Sequence, residues 1–332
     1  MTDYTGSGPY CYANSLVMSL GTPAPSPSLV ETLTGSPFGV QLLGGTVPLF
    51  DPYGWDPEIG LDDAAGLLGL RCDRTSGGSA DEAMARLREA CARGPVLVGP
   101  VDMGLLLYHP GTPWGPTAGG GPYDGNDHYV VALAADDGTV LLHDPHGHPY
   151  ATLPVPEFLA SWRAEAVEYT AEPYVMRAGF ERVRAVTEVA AVRAALPGAV
   201  AWLAGRTDRP VPAGTVAGAE ALERLAARVE AGMDGGQDRG PGGGDDDRLG
   251  AGARGLMEAF AVRVGARRLA DAAVYVERAG LPTAAGVLRE QARLVGAVQY
   301  PLVRGDGAAV AEVLRRLAPT YGRLRRELEA VA

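Results

Sequence analysis

The amino-acid sequence predicts an α+β fold with an antiparallel sheet in its first half, followed by a mainly α-helical second half. Three observations carry this reading. Helical patterns precede strands in the first hundred residues; residues 129–134 and 139–143 are two apolar strands around Asp136-Asp137-Gly138, a hairpin turn sequence; and from about residue 181 apolar residues recur mostly at threes and fours. No βαβ alternation points to a parallel nucleotide-binding sheet. A chain of 332 residues fits about two domains at roughly 150 residues each, and the expected division is 1–177 and 178–332.

Taken in order, residues 12–20 are a short apolar helix that follows a Gly/Pro loop. Residues 62–68 and 79–92 are further helices, and the Val-rich run 95–101 is a strand. After the hairpin, residues 167–176 add another strand, and 181–196 and 217–231 are helices. The stretch 232–253 is Gly/Asp-rich and almost free of apolar side chains, which predicts a flexible loop. Beyond it, Leu256, Phe260, Val264, Leu269, Ala272 and Val276, then Val310, Val313, Leu314, Leu317 and Leu324, predict a bundle of about four helices.

Hydrophobic residues make up 46% of the chain and charged residues 21%, the balance of a soluble globular protein. No apolar run approaches the ~18 residues that would span a bilayer. The first seven residues lack the basic start and apolar stretch of a secretory signal, and three cysteines are too few for a disulfide framework; a cytoplasmic location is expected. The net charge of -11 argues against nucleic-acid binding, which needs a basic footprint. It hides an asymmetry, because from Arg254 onward there are 13 Arg against 8 acids, a net of +5. Those arginines are either solvated helix faces or a surface for an acidic partner. The chain has no lysine, so its Gly-rich stretches are not P-loops.

Cys11 stands where the loop Gly8-Pro9-Tyr10 gives way to the first helix. A free thiol with pKa ~8.5 is mostly protonated at neutral pH, and a helix N-terminus with a neighbouring imidazolium lowers such a value by several units. Cysteine is also among the most buried residue types, so Cys11 taken alone reads more readily as core. His128 opens the first hairpin strand after a long Gly/Pro-rich loop, and the second strand ends in His143-Asp144-Pro145. Antiparallel pairing brings His128 and Asp144 together. A thiol, an imidazole to take its proton and a carboxylate to fix the ring's tautomer are the parts of a cysteine-nucleophile triad.

Cys11 at a helix start, then His128-Tyr129-Val130-Val131, a turn, and a strand ending in Asp144-Pro145 resembles the papain-like fold of bacteriocin-processing cysteine peptidases. Residues 153–162, ending in Trp162, look like that group's helix. Within the group the chain is similar to the butirosin-biosynthesis acyltransferase family, whose strand and Asp-containing loop resemble residues 95–103 with Leu107-Tyr108. The resemblance covers roughly residues 1–170. It implies an acyl-enzyme on Cys11, formed from the phosphopantetheine thioester of an acyl or peptidyl carrier protein and passed to a small amine, with His128 as base and Asp144 as its orienter. The product would be an amide in natural-product (antibiotic) biosynthesis, with an amine such as an amino sugar as acceptor, a helical carboxyl-terminal domain and no bound cofactor.

Papain-like peptidases usually place a glutamine six residues before the nucleophile as oxyanion donor; here that position is Thr5, and no glutamine occurs before Gln41. Backbone N–H groups at Cys11 and Tyr12, with a hydroxyl from Thr5, Tyr4 or Tyr10, are the substitutes. This departure weakens a peptidase reading more than a transferase one, since a thioester is the more reactive acyl donor. Tyr10, Asp102, Tyr108 and Trp114 are candidate substrate contacts, Asp102 competing with a turn or helix-cap role. The loop 114–127 and the carboxyl-terminal helices are candidates for closing the site against water. Asp144, His146 and His148 would share a face on an extended strand and so could hold zinc, but the prolines break the strand and the spacing matches no zinc motif; no metal is expected. Cys72 and Cys91 read as inert core thiols. The alternatives are a cysteine peptidase or amidase using water on the same triad, and a binding module in which the triad is idle.

Overall fold

The computed structural model describes residues 3–6, 8–109, 126–206, 208, 210–232 and 248–331. The elements are α1 (Cys11–Leu20), α2 (Pro27–Leu33), β1 (Gln41–Leu43), β2 (Val47–Leu49), α3 (Pro57–Leu67), β3 (Leu70–Thr75), α4 (Ala80–Cys91), β4 (Val96–Asp102), β5 (Asp127–Ala135), β6 (Thr139–Asp144) and β7 (His148–Pro154). They continue with α5 (Val155–Arg163), β8 (Met176–Arg182), α6 (Glu188–Ala204), β9 (Val216–Ala217), α7 (Gly218–Ala231), α8 (Ala251–Leu256), α9 (Val262–Arg278), α10 (Pro282–Ala297), α11 (Gln299–Arg304) and α12 (Gly307–Glu329). A 3-10 turn follows β4 at Met103–Leu105, and a π-helical turn at Met257–Ala261 joins α8 to α9. The protein is thus α+β with antiparallel sheets and a helical carboxyl-terminal region. Among the described residues no helix is long and apolar enough to cross a membrane.

Two compact units divide the chain: residues 1–30 with 69–185, and residues 31–68 with 186–332. The first holds a six-stranded sheet in the order β3-β8-β4-β5-β6-β7, antiparallel throughout. Its central strands are covered on both faces, hence the near-continuous Val/Leu runs of β4 and β5. On one face Val96, Val98, Val130, Ala132 and Leu142 pack with Met84 and Leu87 of α4 and Phe158 and Trp162 of α5. On the other, α1 is buried at every residue from Tyr12 to Ser19, so it is an enclosed helix rather than an amphipathic surface one. Ser15 Oγ on α1 donates to the Tyr129 carbonyl at 3.0 Å, and the rings of Tyr12 and Tyr129 meet edge to face at 6.0 Å.

The second unit has the small sheet β2-β1-β9 and the helices α6 to α12. The expected boundary at 177/178 placed residues 31–68 in the catalytic half, whereas they pack into the helical unit. Arg268 of α9 explains why: its side chain is buried against Glu31 (2.6 Å) and Asp51 (3.3 Å), with the Trp55 ring beneath the guanidinium at 5.4 Å. Gly265, one turn earlier, admits Phe50 so closely that a Cβ there would stand 2.6 Å from the Phe50 Cβ.

Several element expectations need correction. The strand read at 167–176 lies at β8, because Ala164 and Tyr174 take positive φ (52° and 60°) and carry the segment between them through turns. The helix read at 181–196 begins at Glu188, capped by the Thr187 hydroxyl, and continues past Pro197, while Glu181 and Arg182 remain in β8. The helix read at 62–68 starts earlier, where Asp56 accepts from the Ile59 N–H and Pro57 fills the first position. The expected flexible stretch 232–253 already turns helical at Ala251, and residues 233–247 lie outside the described residues.

Arg268→Met would leave two carboxylates buried without their cation, a change that costs about 3–5 kcal/mol. Denaturant unfolding of the full chain is expected to show that loss; one below about 0.5 kcal/mol would contradict the role assigned to the buried pair.

Candidate functional site

The first turn of α1 carries the thiol. Tyr10, just before it, takes a left-handed conformation (φ 75°, ψ 60°), unusual for a non-glycine residue. Asn14 holds that bend: its Nδ2 donates to the carbonyls of Tyr10 (2.8 Å) and Pro9 (2.9 Å). Cys11 is thereby placed as the first helical residue, partly exposed, on a helix with no acidic side chain in its first turn. Cys11 and Tyr12 are the first two residues of α1, where helix N–H groups point out of the N-terminal end.

The strand that carries the imidazole is fixed just as firmly. His128 is the second residue of β5, opposite Val101. Asp127 beside it accepts from the Tyr169 hydroxyl at 2.8 Å, and the Met103 N–H binds the Asn126 carbonyl at 2.9 Å. A β-bulge in β4 passes through Gly99, where a Cβ would lie 2.5 Å from the Tyr129 ring; only glycine lets the strands close at this point. The Ser15–Tyr129 bond then joins the helix turn after Cys11 to the residue after His128.

Asp144, at the end of β6, is fully buried and receives four hydrogen bonds. Its Oδ1 accepts from His128 Nε2 (2.7 Å) and from the His146 N–H (2.7 Å); its Oδ2 accepts from His109 Nε2 (2.7 Å) and the Tyr108 hydroxyl (3.0 Å). With Nε2 of His128 on the carboxylate, Nδ1 is the ring nitrogen left for Cys11, which lies near enough to raise the ring's pKa. Tyr4 secures the turn from behind, donating to the Asp144 carbonyl and accepting from the Gly147 N–H, both at 3.0 Å.

The electrostatics follow from this geometry. Burial opposes a charge on the His128 ring, but the Asp144 charge and hydrogen bond, with the hydrogen bond to Cys11, outweigh it and hold the imidazole pKa well above its usual value. Burial likewise opposes ionisation of Asp144, and the charge of His128 with the hydrogen bonds from both imidazoles overturns that and keeps the carboxyl far below the usual range. Tyr108 is pushed well up by burial and by the neighbouring carboxylate, so it remains a donor. His146 and His148 are pushed down, first by burial and then by the charge of the other imidazoles. These shifts favour a charged His128 ring beside an ionised Asp144.

Of the residues singled out from sequence, Cys11, His128, Asp144 and Tyr108 come together, and Thr5 lies half-buried on the segment anchored by Tyr4. Tyr10 is buried as the residue before α1. Asp102 is buried and its side chain accepts from the Gly104 N–H at 2.9 Å, the capping arrangement. Trp114 and the loop 110–125 lie outside the described residues. Cys91 is pushed up to about 11 by burial, and Cys72 is half-buried on β3. Sequence reasoning missed His109. No spacing in the chain marks it, since only the fold brings it beside Asp144; His143, by contrast, accepts at Nδ1 from the Tyr150 N–H at 3.2 Å.

Fold and site together define an α+β protein with a Cys–His–Asp constellation at a helix N-terminus. Residues 245–329 match a family described as the YobF C-terminal domain. Over 172 residues the chain is 33% identical to "Uncharacterized protein YobF" of Bacillus subtilis (strain 168), a match covering 51% of this chain and 53% of that protein. The chain thus spans about half the length of the curated relative it matches.

Asp144 in the folded chain titrates below an unfolded Asp at about 3.9, so it contributes stability that is complete above that value and is lost as pH falls toward the folded one. His128 works in the opposite sense: its contribution is complete below about 6.5 and is lost as pH rises through its raised folded value. Asp144→Asn is expected to lose less stability than the wild type between about pH 5 and pH 3, read from thermal midpoints; equal losses would contradict an ionised Asp144.

Proposed function

We propose that the protein is a cysteine-dependent acyl-transfer enzyme of papain-like type that takes an acyl group from a thioester and delivers it to an amine. The observation that carries this reading is the succession of Cys11 at the start of α1, His128 at the start of β5 and a fully buried Asp144 whose Oδ1 lies 2.7 Å from His128 Nε2. A thiol at the N-terminus of an enclosed helix, packed on an antiparallel sheet whose strand begins with the histidine, is also the arrangement that the papain-like resemblance implies. The three free thiols suit a reducing, cytoplasmic setting.

In the first half-reaction the Cys11 sulfur attacks the thioester carbonyl, and the oxyanion collects at the N–H groups of Cys11 and Tyr12. Collapse breaks the donor C–S bond, and the departing thiolate takes the proton from the His128 imidazolium. An amine then attacks the acyl-cysteine; His128, now neutral, accepts the proton the amine loses, and Cys11 leaves as its thiolate, restoring the starting ion pair. A thioester suits a site with Thr5 in place of a glutamine, because its leaving group needs less help than that of an amide. The donor we favour is a carrier-protein phosphopantetheine thioester, since carrier proteins are generally acidic and the chain from Arg254 onward has a net charge of +5.

Incubation with an acyl thioester, either on a carrier protein or on N-acetylcysteamine, is expected to add the acyl mass to Cys11, with none on Cys11→Ser and a rate about 10²–10⁴-fold lower in His128→Asn. Added amine should then release amide. Release of free acid alone would move the assignment to a hydrolase using the same triad, and an absence of acylation would overturn the proposal.

A further inference from the structure

Asp144 has more imidazole around it than a triad uses. His109 Nε2 and His128 Nε2 each lie 2.7 Å from a different oxygen of its carboxylate, and the three ligating atoms fall within 4.8 Å of one another, all on buried residues. Two more rings extend from this core toward solvent. His146, exposed, has its ring centre 5.3 Å from that of His109 and 6.1 Å from that of His128; His148, partly exposed, is 4.9 Å from His109.

We propose that His109, His128 and Asp144 form a site for a divalent transition-metal ion of the zinc class, and that occupancy switches the triad off. Two imidazoles and a carboxylate are a common donor set for such ions. In a tetrahedral site with metal–ligand bonds of about 2.0–2.2 Å, donors stand about 3.4 Å apart. The His–Asp separations of 2.7 Å would open by less than about 1 Å. The outer support is already built: the Tyr108 hydroxyl and the His146 N–H hold the carboxylate oxygens in place, which is how the surroundings of a metal site orient its ligands.

Binding has a definite chemical consequence. The Nε2 protons that now bridge to Asp144 leave, either to solvent or to the other nitrogen of the ring, and the metal takes the vacated lone pairs. A neutral His128 bound through Nε2 carries its remaining proton on Nδ1, the nitrogen facing Cys11. It then has no lone pair with which to take a proton from thiol or amine. Metal uptake itself rests on geometry alone; only its inhibitory effect rests on the proposed function.

The test uses the full chain with Co²⁺ as spectroscopic probe and Zn²⁺ in competition. Wild type and Cys11→Ser are both expected to bind one equivalent of Co²⁺ with the visible bands of a four- or five-coordinate ion, and His109→Gln to bind at least tenfold more weakly. One equivalent of Zn²⁺ should block alkylation of Cys11 in the wild type, reversed by chelator. Lack of stoichiometric uptake, uptake undiminished in His109→Gln, or uptake lost in Cys11→Ser would each overturn the site. Should His109→Gln not fold, proton spectra of wild type with Co²⁺ decide the matter: two imidazoles with hyperfine-shifted ring N–H signals support the site, and their absence refutes it. Because uptake is read without turnover, failed acylation with intact His109-dependent binding removes the enzymatic reading and leaves this one standing, and the converse result does the reverse.

Discussion

A carboxylate with no exposed surface keeps its charge only when donors replace the water it has lost, and the site is organised around that constraint at Asp144. Two imidazoles, a phenol and a backbone N–H meet the requirement, two to each oxygen. Once the carboxylate is ionised, it draws a proton onto His128, and a cationic ring beside Cys11 follows. His109 and Tyr108 serve the carboxylate oxygen that His128 does not, and without them Asp144 Oδ2 would be a buried acceptor stripped of both donors.

The remaining geometry sets where the ring and the sulfur stand. Cys11 and His128 come from elements far apart in sequence, and their alignment depends on a few short-range bonds: Asn14 closing the bend at Tyr10, Ser15 bridging α1 to β5, Tyr169 and Met103 pinning the start of β5, and Gly99 letting that strand approach. Their common effect is preorganisation, since a site on rigid elements spends nothing on arranging itself when substrate arrives.

Much of this was legible in the chain. The Asp136-Asp137-Gly138 turn and the apolar runs beside it set the hairpin, and the hairpin brings His128 to Asp144; the Gly/Pro loop before an apolar stretch placed Cys11 at a helix start. What escaped depended on long-range contacts. Residues 31–68 carry no composition shift that assigns them to the helical unit, because their attachment is made by long-range contacts: β1 pairing with β9, Phe50 on Gly265, and the buried Arg268 of α9. Positive φ at Ala164 and Tyr174 displaced a strand that local propensity put too early. The helix through Pro197 shows tertiary packing overriding a residue that normally ends a helix. His109 lay beyond reach for the same reason: only the folded sheet brings the end of the β4 segment against the end of β6.

The central claim is that the ring between Cys11 and Asp144 is an imidazolium near neutral pH, and long-range proton–nitrogen correlation of the histidine side chains tests it directly. With His128 assigned by its loss in His128→Asn, both ring nitrogens are expected to remain protonated at about pH 8, well above the ordinary imidazole value of about 6.5. A His128 that titrates at that ordinary value, as a ring free of the carboxylate would, contradicts the account.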